Sequence, residues 1–363
     1  MPFASANAES KDRMLRRNRT MKKCRFISLL LAVALMLSVT ACGNPSGTTP
    51  ASTDKSDEKT YVIKVANQWA DTSVHTKFIT EKFIPRVEEL TNKRVKVEFY
   101  GNNSLGNEFN QVEQTQMGKL NMCVISEQSA SLNPAMLNAM MLPYLFEDEA
   151  HWDKVVNGEI GKKFGASLPA KGLRVLGFTE NGLRVITNSK RPINSVADLK
   201  GLKIRVSSSE MSIALFEALE TNTVATTIGE VFSALQTNTF DGQENPYNTI
   251  RSFRFNEVQK YLAETNHVLN TMYFVASEQW LTSLPEDIRG AVEQAAKEAC
   301  QYQVKMLREA AAADKKFLLE NGMTATTPDV AEFKKAAEAV YEKYYQKYPD
   351  GKDLVEEIKA AAK

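Results

Sequence analysis

Segments with the apolar pattern of strands alternate with segments of helical pattern early in the chain, and this order restricts the fold most strongly. The strand-like segments are residues 61–66, 95–100 and 121–126, and the helix-like segments between them are residues 73–90 and 105–119. Such an alternation is typical of a parallel α/β sheet with right-handed crossovers. Pro85 lies inside the first helical segment, where we expect it to kink the helix.

The rest of the chain continues with short strands, helices and one very long helix. We expect strands at residues 173–178, 184–187, 203–206 and 268–276, with residues 180–182 linking the first two. We expect helices at residues 151–164, 208–219, 286–321, 329–348 and 354–362, and a buried apolar connector at residues 136–146. Gly322 is the expected stop of the long helix. A length of 363 residues favours two domains.

A basic region followed by fourteen mainly apolar residues, 26–39, opens the chain. This length suits the core of a signal peptide and is short for a membrane-spanning helix. The run ends in Val39-Thr40-Ala41-Cys42, which resembles the lipobox of bacterial lipoproteins. We therefore interpret residues 1–41 as a lipoprotein signal peptide and Cys42 as the lipidated residue. An ordinary secretory signal is the alternative, and Met21 is an alternative start.

The charge balance after the signal peptide argues against nucleic-acid binding. Without residues 1–41, 37 Lys and Arg stand against 42 Asp and Glu, a net charge of −5. No basic surface of the kind that binds nucleic acid is expected. Residues 42–60 are rich in Gly, Pro, Ser and Thr and then charged, which predicts a flexible tether. For Cys123 and Cys300, the sequence favours two buried thiols over a disulfide.

Motifs for metal, redox or hydrolytic chemistry are missing from the sequence. It contains no HExxH, CxxC, GxSxG or GxxxxGK[ST] pattern, so it gives no support to a zinc hydrolase, a redox protein, an α/β-hydrolase or a P-loop protein. His75, His151 and His267 do not cluster, and for His267 a structural role is favoured. The sequence therefore indicates no cofactor.

Two motifs in the middle of the chain carry more information than the rest. The first is ADLKGLKIRV, residues 197–206, and the second is GEVFSALQTNTFDGQENP, residues 229–246. By its residues alone, the second reads as a short helix followed by a polar turn at residues 240–246, with Gly for a tight bend and Pro at the exit. A solvated loop is the plain alternative to a ligand-facing turn.

Together the two motifs resemble the extracytoplasmic solute-binding proteins of TRAP transporters, the DctP family, and the resemblance runs from about Tyr61 to about Tyr345. It implies a type II periplasmic-binding architecture with two α/β lobes, a cleft between them and a long helix spanning both. On this basis lobe I comprises residues 61–181 and about 268–309. Lobe II comprises residues 182–267 and about 310–363. In open α/β sheets, ligands sit beyond the carboxyl ends of strands.

The resemblance also implies ligand-binding residues at such strand ends. Arg205, in an apolar strand, needs an anion, and its fork matches a ligand carboxylate; a structural salt bridge is the alternative. Arg184 is expected either to contact the ligand or to form a hinge salt bridge. Asn245 of the second motif is expected to line the same pocket.

Two further positions are placed in the pocket by weaker likeness, and Trp69 is considered beside them for its aromatic ring. Glu127 and Asn67 correspond to pocket positions in sialic-acid-binding members, although both are also explained as caps of strand ends. Trp69 is expected either to stack on a ligand ring or to pack in the core.

The implied function is that of a lipid-anchored, extracytoplasmic receptor that closes around an organic acid and delivers it to a membrane permease. We expect a monomer. An ionised Glu127 would accept hydrogen bonds from hydroxyl groups and repel a second carboxylate, so a sugar acid such as a uronate or a sialic acid is predicted. The alternatives are a C4-dicarboxylate receptor of the same class, a ligand-sensing lipoprotein, and an extracytoplasmic enzyme on sugar acids.

Overall fold

The structure is a computed structural model that describes residues 59–132 and 134–362. The signal peptide, Cys42 and residues 42–58 of the tether lie outside the described residues. Within the described part, no helix combines the length and the apolar character needed to cross a membrane.

Two sheets organise the described chain. The strands are β1 (Tyr61–Ala66), β2 (Val95–Tyr100), β3 (Met122–Ile125), β4 (Leu173–Leu183), β5 (Val185–Asn188), β6 (Lys203–Val206), β7 (Asn222–Ala225), β8 (Gly242–Asn245), β9 (Tyr261–Ala263), β10 (Leu269–Ser277) and β11 (Thr324–Thr326). The first sheet has the order β2-β1-β3-β10-β4, and the second has the order β11-β9-β5-β8-β6-β7. We call the part built on the first sheet lobe I and the part built on the second sheet lobe II.

Helices cover both sheets. The α-helices are α1 (Val74–Lys77), α2 (Ile84–Leu90), α3 (Glu108–Gln116), α4 (Pro134–Ala139), α5 (Glu149–Asn157), α6 (Glu159–Ser167), α7 (Glu210–Ala218), α8 (Val231–Gln236), α9 (Tyr247–Ser252), α10 (Glu278–Ser283), α11 (Glu286–Glu320), α12 (Ala331–Lys347) and α13 (Gly351–Ala360). Short 3-10 helices lie at Glu127–Leu132, Pro169–Lys171, Val196–Leu199, Ile228–Glu230 and Phe255–Glu257.

The early strand–helix alternation forms the parallel core of lobe I, as predicted. Strand β1 pairs in parallel with both β2 and β3. Strand β10 enters antiparallel between β3 and β4 and makes the sheet mixed. Between α1 and α2 the helix turns into a π-helix, Phe78–Phe83. Pro85 follows at once, and because it has no N–H to donate, it disturbs the regular hydrogen-bond ladder there.

The second motif differs from its expected form. Residues 242–245, expected to lie in a polar turn, form the buried strand β8 between β5 and β6. A Cβ atom on Gly242 would lie 2.2 Å from the Thr187 backbone oxygen, so only glycine allows the strands to approach this closely. The polar residues of β8 are tolerated in the interior because other buried side chains bind them.

Two other boundaries also differ. Residues 180–182, expected to link two strands, lie inside the continuous strand β4, which pairs with β10 through an irregular register near Asn270. The expected helix at residues 151–164 is divided at Gly158, whose extended backbone separates α5 from α6. Cys123 and Cys300 are buried free thiols, as the sequence favoured.

The long helix α11 is confirmed, and it joins the two lobes. It packs against β4 and α2 of lobe I and against α9 of lobe II. Gly322 follows its end with a positive φ of +98°, which glycine adopts without strain. The chain leaves the first sheet after β4 and returns to it at β10. The exact lobe boundaries given above stay a prediction.

Candidate ligand-binding cleft

The cleft between the lobes is lined by side chains from both of them. Its lining consists of Gln68, Trp69, Ser126, Gln128, Asn181, Arg184, Arg205, Ser207, Ile228, Asn245 and Thr249. The structure therefore brings together four residues that the sequence singled out, namely Trp69, Arg184, Arg205 and Asn245. The space that they enclose is about 20 Å³, roughly the room that one water molecule needs.

The two sequence motifs meet in the sheet of lobe II. Strands β6 and β8 are parallel neighbours, with Ile204 opposite Gly242 and Arg205 opposite Gln243. This register puts Arg205 and Asn245 at the same carboxyl edge of the sheet. Motifs separated by about twenty residues in sequence thus contribute to one wall of the cleft, where ligands bind in open α/β sheets.

Arg205 is buried within this wall, with 1% of its surface exposed. Its Nε donates to the Thr226 backbone oxygen over 3.0 Å, and its Nη2 donates to the same oxygen. Thr226 follows the edge strand β7, which pairs with β6. The hydrogen bonds to Thr226 hold the guanidinium group at the cleft end of the strand.

Arg184 lies between β4 and β5 and forms a buried ion pair with Glu244. Its Nε donates to one carboxylate oxygen of Glu244, and its Nη2 donates to the other over 2.8 Å. Nη1 donates to Asn270 over 2.8 Å, and Nη2 also reaches the Asn245 side-chain oxygen over 3.2 Å. Arg184 therefore makes the hinge salt bridge that the sequence left open and lines the cleft at the same time.

The pKa values around this pair favour a charged carboxylate beside a neutral imidazole. Burial by itself raises the pKa of Glu244, but the charge of Arg184 and hydrogen bonds from His267 and Arg184 lower it to about 2. Burial lowers the pKa of His267, whose ring contacts Glu244 over 3.3 Å and Thr265 over 2.8 Å. His267 is thus a hydrogen-bonded structural histidine, as the sequence favoured.

Asn67 is fully buried and does not line the cleft. Its side-chain nitrogen donates to the His75 backbone oxygen over 2.7 Å, and its oxygen accepts from the Trp69 N–H over 3.1 Å. These bonds fasten the turn after β1 to the start of α1, so Asn67 caps the strand end and positions Trp69. The side chain of Glu127, which begins a 3-10 helix, lies outside the described part of the structure.

Sequence reasoning missed several polar residues of lobe I, and a buried carboxylate organises them. Glu108 accepts from the Ser126 N–H over 2.8 Å and from the hydroxyls of Ser126 and Ser129 over 2.7 and 2.6 Å. Gln68 also donates to it over 3.4 Å. The only local signal was Asn107, which caps helix α3 and places Glu108 at its first turn. The serines that Glu108 binds come 18 and 21 positions later in the sequence.

A second network joins the lobes at the cleft. Asn181 of β4 accepts hydrogen bonds from the His75 ring over 3.0 Å and from the Thr249 hydroxyl over 2.9 Å. Its own nitrogen donates to Asn270 over 3.0 Å. Burial lowers the pKa of His75 to about 4, so the ring is neutral and serves as a hydrogen-bonding link. In the described residues, no group of three or more His, Cys, Asp or Glu is placed to hold a metal ion.

A family model agrees with this fold and cleft. The model for bacterial extracellular solute-binding proteins of family 7, the DctP family, matches residues 65–348. The chain therefore belongs to this family, and the resemblance stated from its motifs is confirmed. It is a solute-binding receptor of the TRAP transporter class and not an enzyme.

Individual relatives and solved structures are similar over most of their length. The 2,3-diketo-L-gulonate-binding periplasmic protein of Escherichia coli is 37% identical over 230 residues, which are 63% of this chain and 70% of that protein. A sugar-acid-binding protein of Advenella mimigardefordensis, solved with galactonate, is 34% identical with a TM-score of 0.80, covering 84% of this chain and 99% of the other. A TRAP solute-binding protein of Roseobacter denitrificans, solved with L-galactonate, is 32% identical with a TM-score of 0.78, covering 83% and 99%.

Proposed function

We propose that this receptor captures a sugar acid, holding its carboxylate at Arg205 and its hydroxyl groups along the polar lining of the cleft. The guanidinium fork suits a carboxylate. Gln68, Ser126, Gln128, Ser207 and Asn245 supply amide and hydroxyl groups that can exchange hydrogen bonds with hydroxyls. The described relatives solved with galactonate favour the same chemistry.

The observation that carries the proposal is the parallel pairing of β6 and β8, which places Arg205 and Asn245 at one edge of the cleft. The Arg184–Glu244 pair adds a reason to expect one carboxylate in the ligand instead of two. Because Glu244 already neutralises Arg184, Arg184 offers little attraction to a second carboxylate of the ligand. This argues for a sugar acid over a C4-dicarboxylate.

The remaining residues receive more modest roles in this proposal. Arg184 contacts the ligand from a position fixed by Glu244, and Trp69 covers the ligand with an apolar face. Asn67 acts indirectly, since it holds the turn that carries Trp69. A role for Glu127 as an acceptor of ligand hydroxyls stays a prediction.

The transport partners follow from the class of receptor. The protein is proposed to work as a monomer that passes its ligand to the membrane permease of a TRAP system, with lipid on Cys42 and residues 42–60 as the tether. A Cys42→Ser variant should then leave the detergent phase in a phase-partitioning experiment or stay unprocessed. A processed variant that still partitions into detergent contradicts the lipid anchor.

A thermal-shift panel tests the ligand class directly. L-galactonate, L-gulonate, D-glucuronate and D-galacturonate are compared with succinate, malate and fumarate. We expect at least one sugar acid to raise the melting temperature more than every C4-dicarboxylate. A larger shift with a dicarboxylate than with all the sugar acids would overturn the proposed ligand class.

Calorimetry on an Arg205→Lys variant tests the carboxylate site. Losing a bidentate, charge-assisted contact costs about 1.5–3 kcal/mol of binding free energy. Arg191→Lys is a matched control, since Arg191 also donates to backbone oxygens, those of Asp198 and Lys200, on lobe II, but does not line the cleft. An equal loss of affinity in both variants would contradict the assignment of Arg205 as the carboxylate-binding residue.

A further inference from the structure

Arg308, on the long helix α11, connects three elements of the fold. We propose, building on the receptor function above, that Arg308 is a positioning residue for ligand capture: it ties strand β4 and helix α5 to helix α11 and stabilises the lobe arrangement in which the cleft residues meet. Arg308 does not line the cleft, so any effect on binding must travel through the elements that it holds.

The guanidinium group of Arg308 bridges two carboxylates from different elements. Nη1 and Nη2 donate to the two oxygens of Asp153 in α5 over 2.9 and 3.0 Å. Nε donates to Glu180 in β4 over 3.1 Å, and Nη2 donates to the same carboxylate. A planar fork can serve two carboxylates at once, whereas the single ammonium of lysine cannot reproduce this geometry.

Helix α5 is also anchored by the two residues that precede Asp153. The Trp152 ring nitrogen donates to the Thr271 hydroxyl over 2.7 Å, and the His151 ring contacts the Ile358 backbone oxygen over 2.6 Å. Trp152 also packs in the same apolar cluster as Ile204 of lobe II. Arg308 therefore links a strand of the lobe I sheet to a helix that shares the core of lobe II.

Strand β4, which Arg308 binds through Glu180, also contributes to the lining of the cleft. Asn181 directly follows Glu180 and lines the cleft. Asn181 donates to Asn270, which also accepts from Arg184. A shift of β4 at Glu180 would therefore move Asn181 and, through Asn270, disturb Arg184. This chain of hydrogen bonds is the path from Arg308 to the ligand.

The charges around Arg308 suit a geometric role better than a stabilising one. Glu149, Asp153 and Glu180 face this single cation, which also lies over the Trp152 ring at 5.7 Å. Burial raises the pKa of Glu180 to about 7, although the hydrogen bond and charge of Arg308 act to lower it. A buried ion pair whose desolvation cost is this large adds little net stability. It does fix the relative position of its two elements.

The test compares Arg308→Lys with Arg86→Lys by calorimetry and by dissociation rates, using D-glucuronate and L-galactonate as probes. Arg86 is a matched control because it binds both oxygens of Glu298, on the same long helix, but its carboxylate partner lies in neither β4 nor α5. The two arginine side chains are also similarly exposed, 25% and 21%. We expect Arg308→Lys to weaken binding about tenfold, or about 1.4 kcal/mol, mainly through faster dissociation, and Arg86→Lys to change it less than twofold.

A loss of stability alone would lower the melting temperature without changing affinity well below it, so an unchanged affinity in Arg308→Lys overturns the proposal. Equal weakening in Arg86→Lys overturns it as well. If Arg308→Lys does not fold, Asp153→Asn probes the same bridge from its more exposed partner and should weaken binding in the same direction.

Hydrogen exchange on the ligand-free protein separates this inference from the proposed function. Even if the wild type binds none of the acids, Arg308→Lys should speed exchange in β4 near Asn181, whereas Arg86→Lys should not. Unchanged exchange in β4 would refute the positioning role independently of any ligand.

Discussion

Replacing Glu244 by Gln removes the negative charge from a fully buried ion pair while keeping the size of the side chain. Glu244 accepts from Nε and Nη2 of Arg184 through both carboxylate oxygens, and His267 contacts it as well. A glutamine has only one oxygen to offer, so its amide group faces the N–H donors of these partners. The charge of Arg184 would then be buried beside a neutral group, which is costly.

The pKa of Glu244 gives the size of the effect. A decrease from 4.5 to about 2 corresponds to about 3 kcal/mol in favour of the ionised form in the folded protein. Because the folded pKa is lowered, this stabilisation is fully present above pH 4.5 and is lost as the pH falls towards 2. The difference between wild type and Glu244→Gln should therefore be about 3 kcal/mol at pH 7 and about 1 kcal/mol at pH 3.

Urea denaturation followed by circular dichroism at the two pH values measures this difference. Glu257→Gln is the control, since Glu257 binds Arg254 through both oxygens but on the surface. Exposed ion pairs contribute little to stability, so Glu257→Gln should leave the free energy of unfolding nearly unchanged. A loss below about 1 kcal/mol at pH 7, or an equal loss at both pH values, would refute the reasoning. The variant should also bind sugar acids more weakly, because Arg184 loses the partner that holds it in the cleft.

Two further predictions concern the interior of the fold. Burial raises the pKa of Glu180 from 4.5 to about 7, so the free energy of unfolding should fall by up to about 3 kcal/mol as the pH rises from 4.5 to 8. Glu180→Gln should remove this pH dependence, which urea denaturation measures. An equal pH dependence in both proteins would show that Glu180 is not its source. Gly242→Ala would bring a Cβ atom within 2.2 Å of the Thr187 oxygen and should destabilise the protein by about 1–3 kcal/mol or more. Gly165→Ala, which meets no atom within 4 Å in helix α6, should instead be neutral or stabilising by about 0.5–1 kcal/mol, and similar losses for both alanines would show that crowding at Gly242 is not the cause.

The sequence by itself determined the features that depend on neighbouring residues. The alternation that gives β1, β2 and β3 is a local periodicity, and it predicted the parallel core of lobe I. The long helix α11 was equally readable, because only Gly290 interrupts a run of good helix formers before Gly322. Two motifs also identified the family and placed Arg205 and Asn245 in one cleft.

The tertiary structure alone decided where polar residues are buried. Residues 242–245 looked like a turn because their neighbours in sequence offer Gln243 and Glu244 no partners. In the fold, Gln243 donates to Thr187 over 2.8 Å, and Glu244 pairs with Arg184, sixty positions earlier in the chain. These partners offset the cost of burying a polar strand, since a polar group loses its hydrogen bonds to water on burial and needs other partners. Arg308 binds Asp153 and Glu180, which lie 155 and 128 positions earlier in the chain. No local sequence pattern predicts such an ion pair, because its members meet only when the lobes have folded.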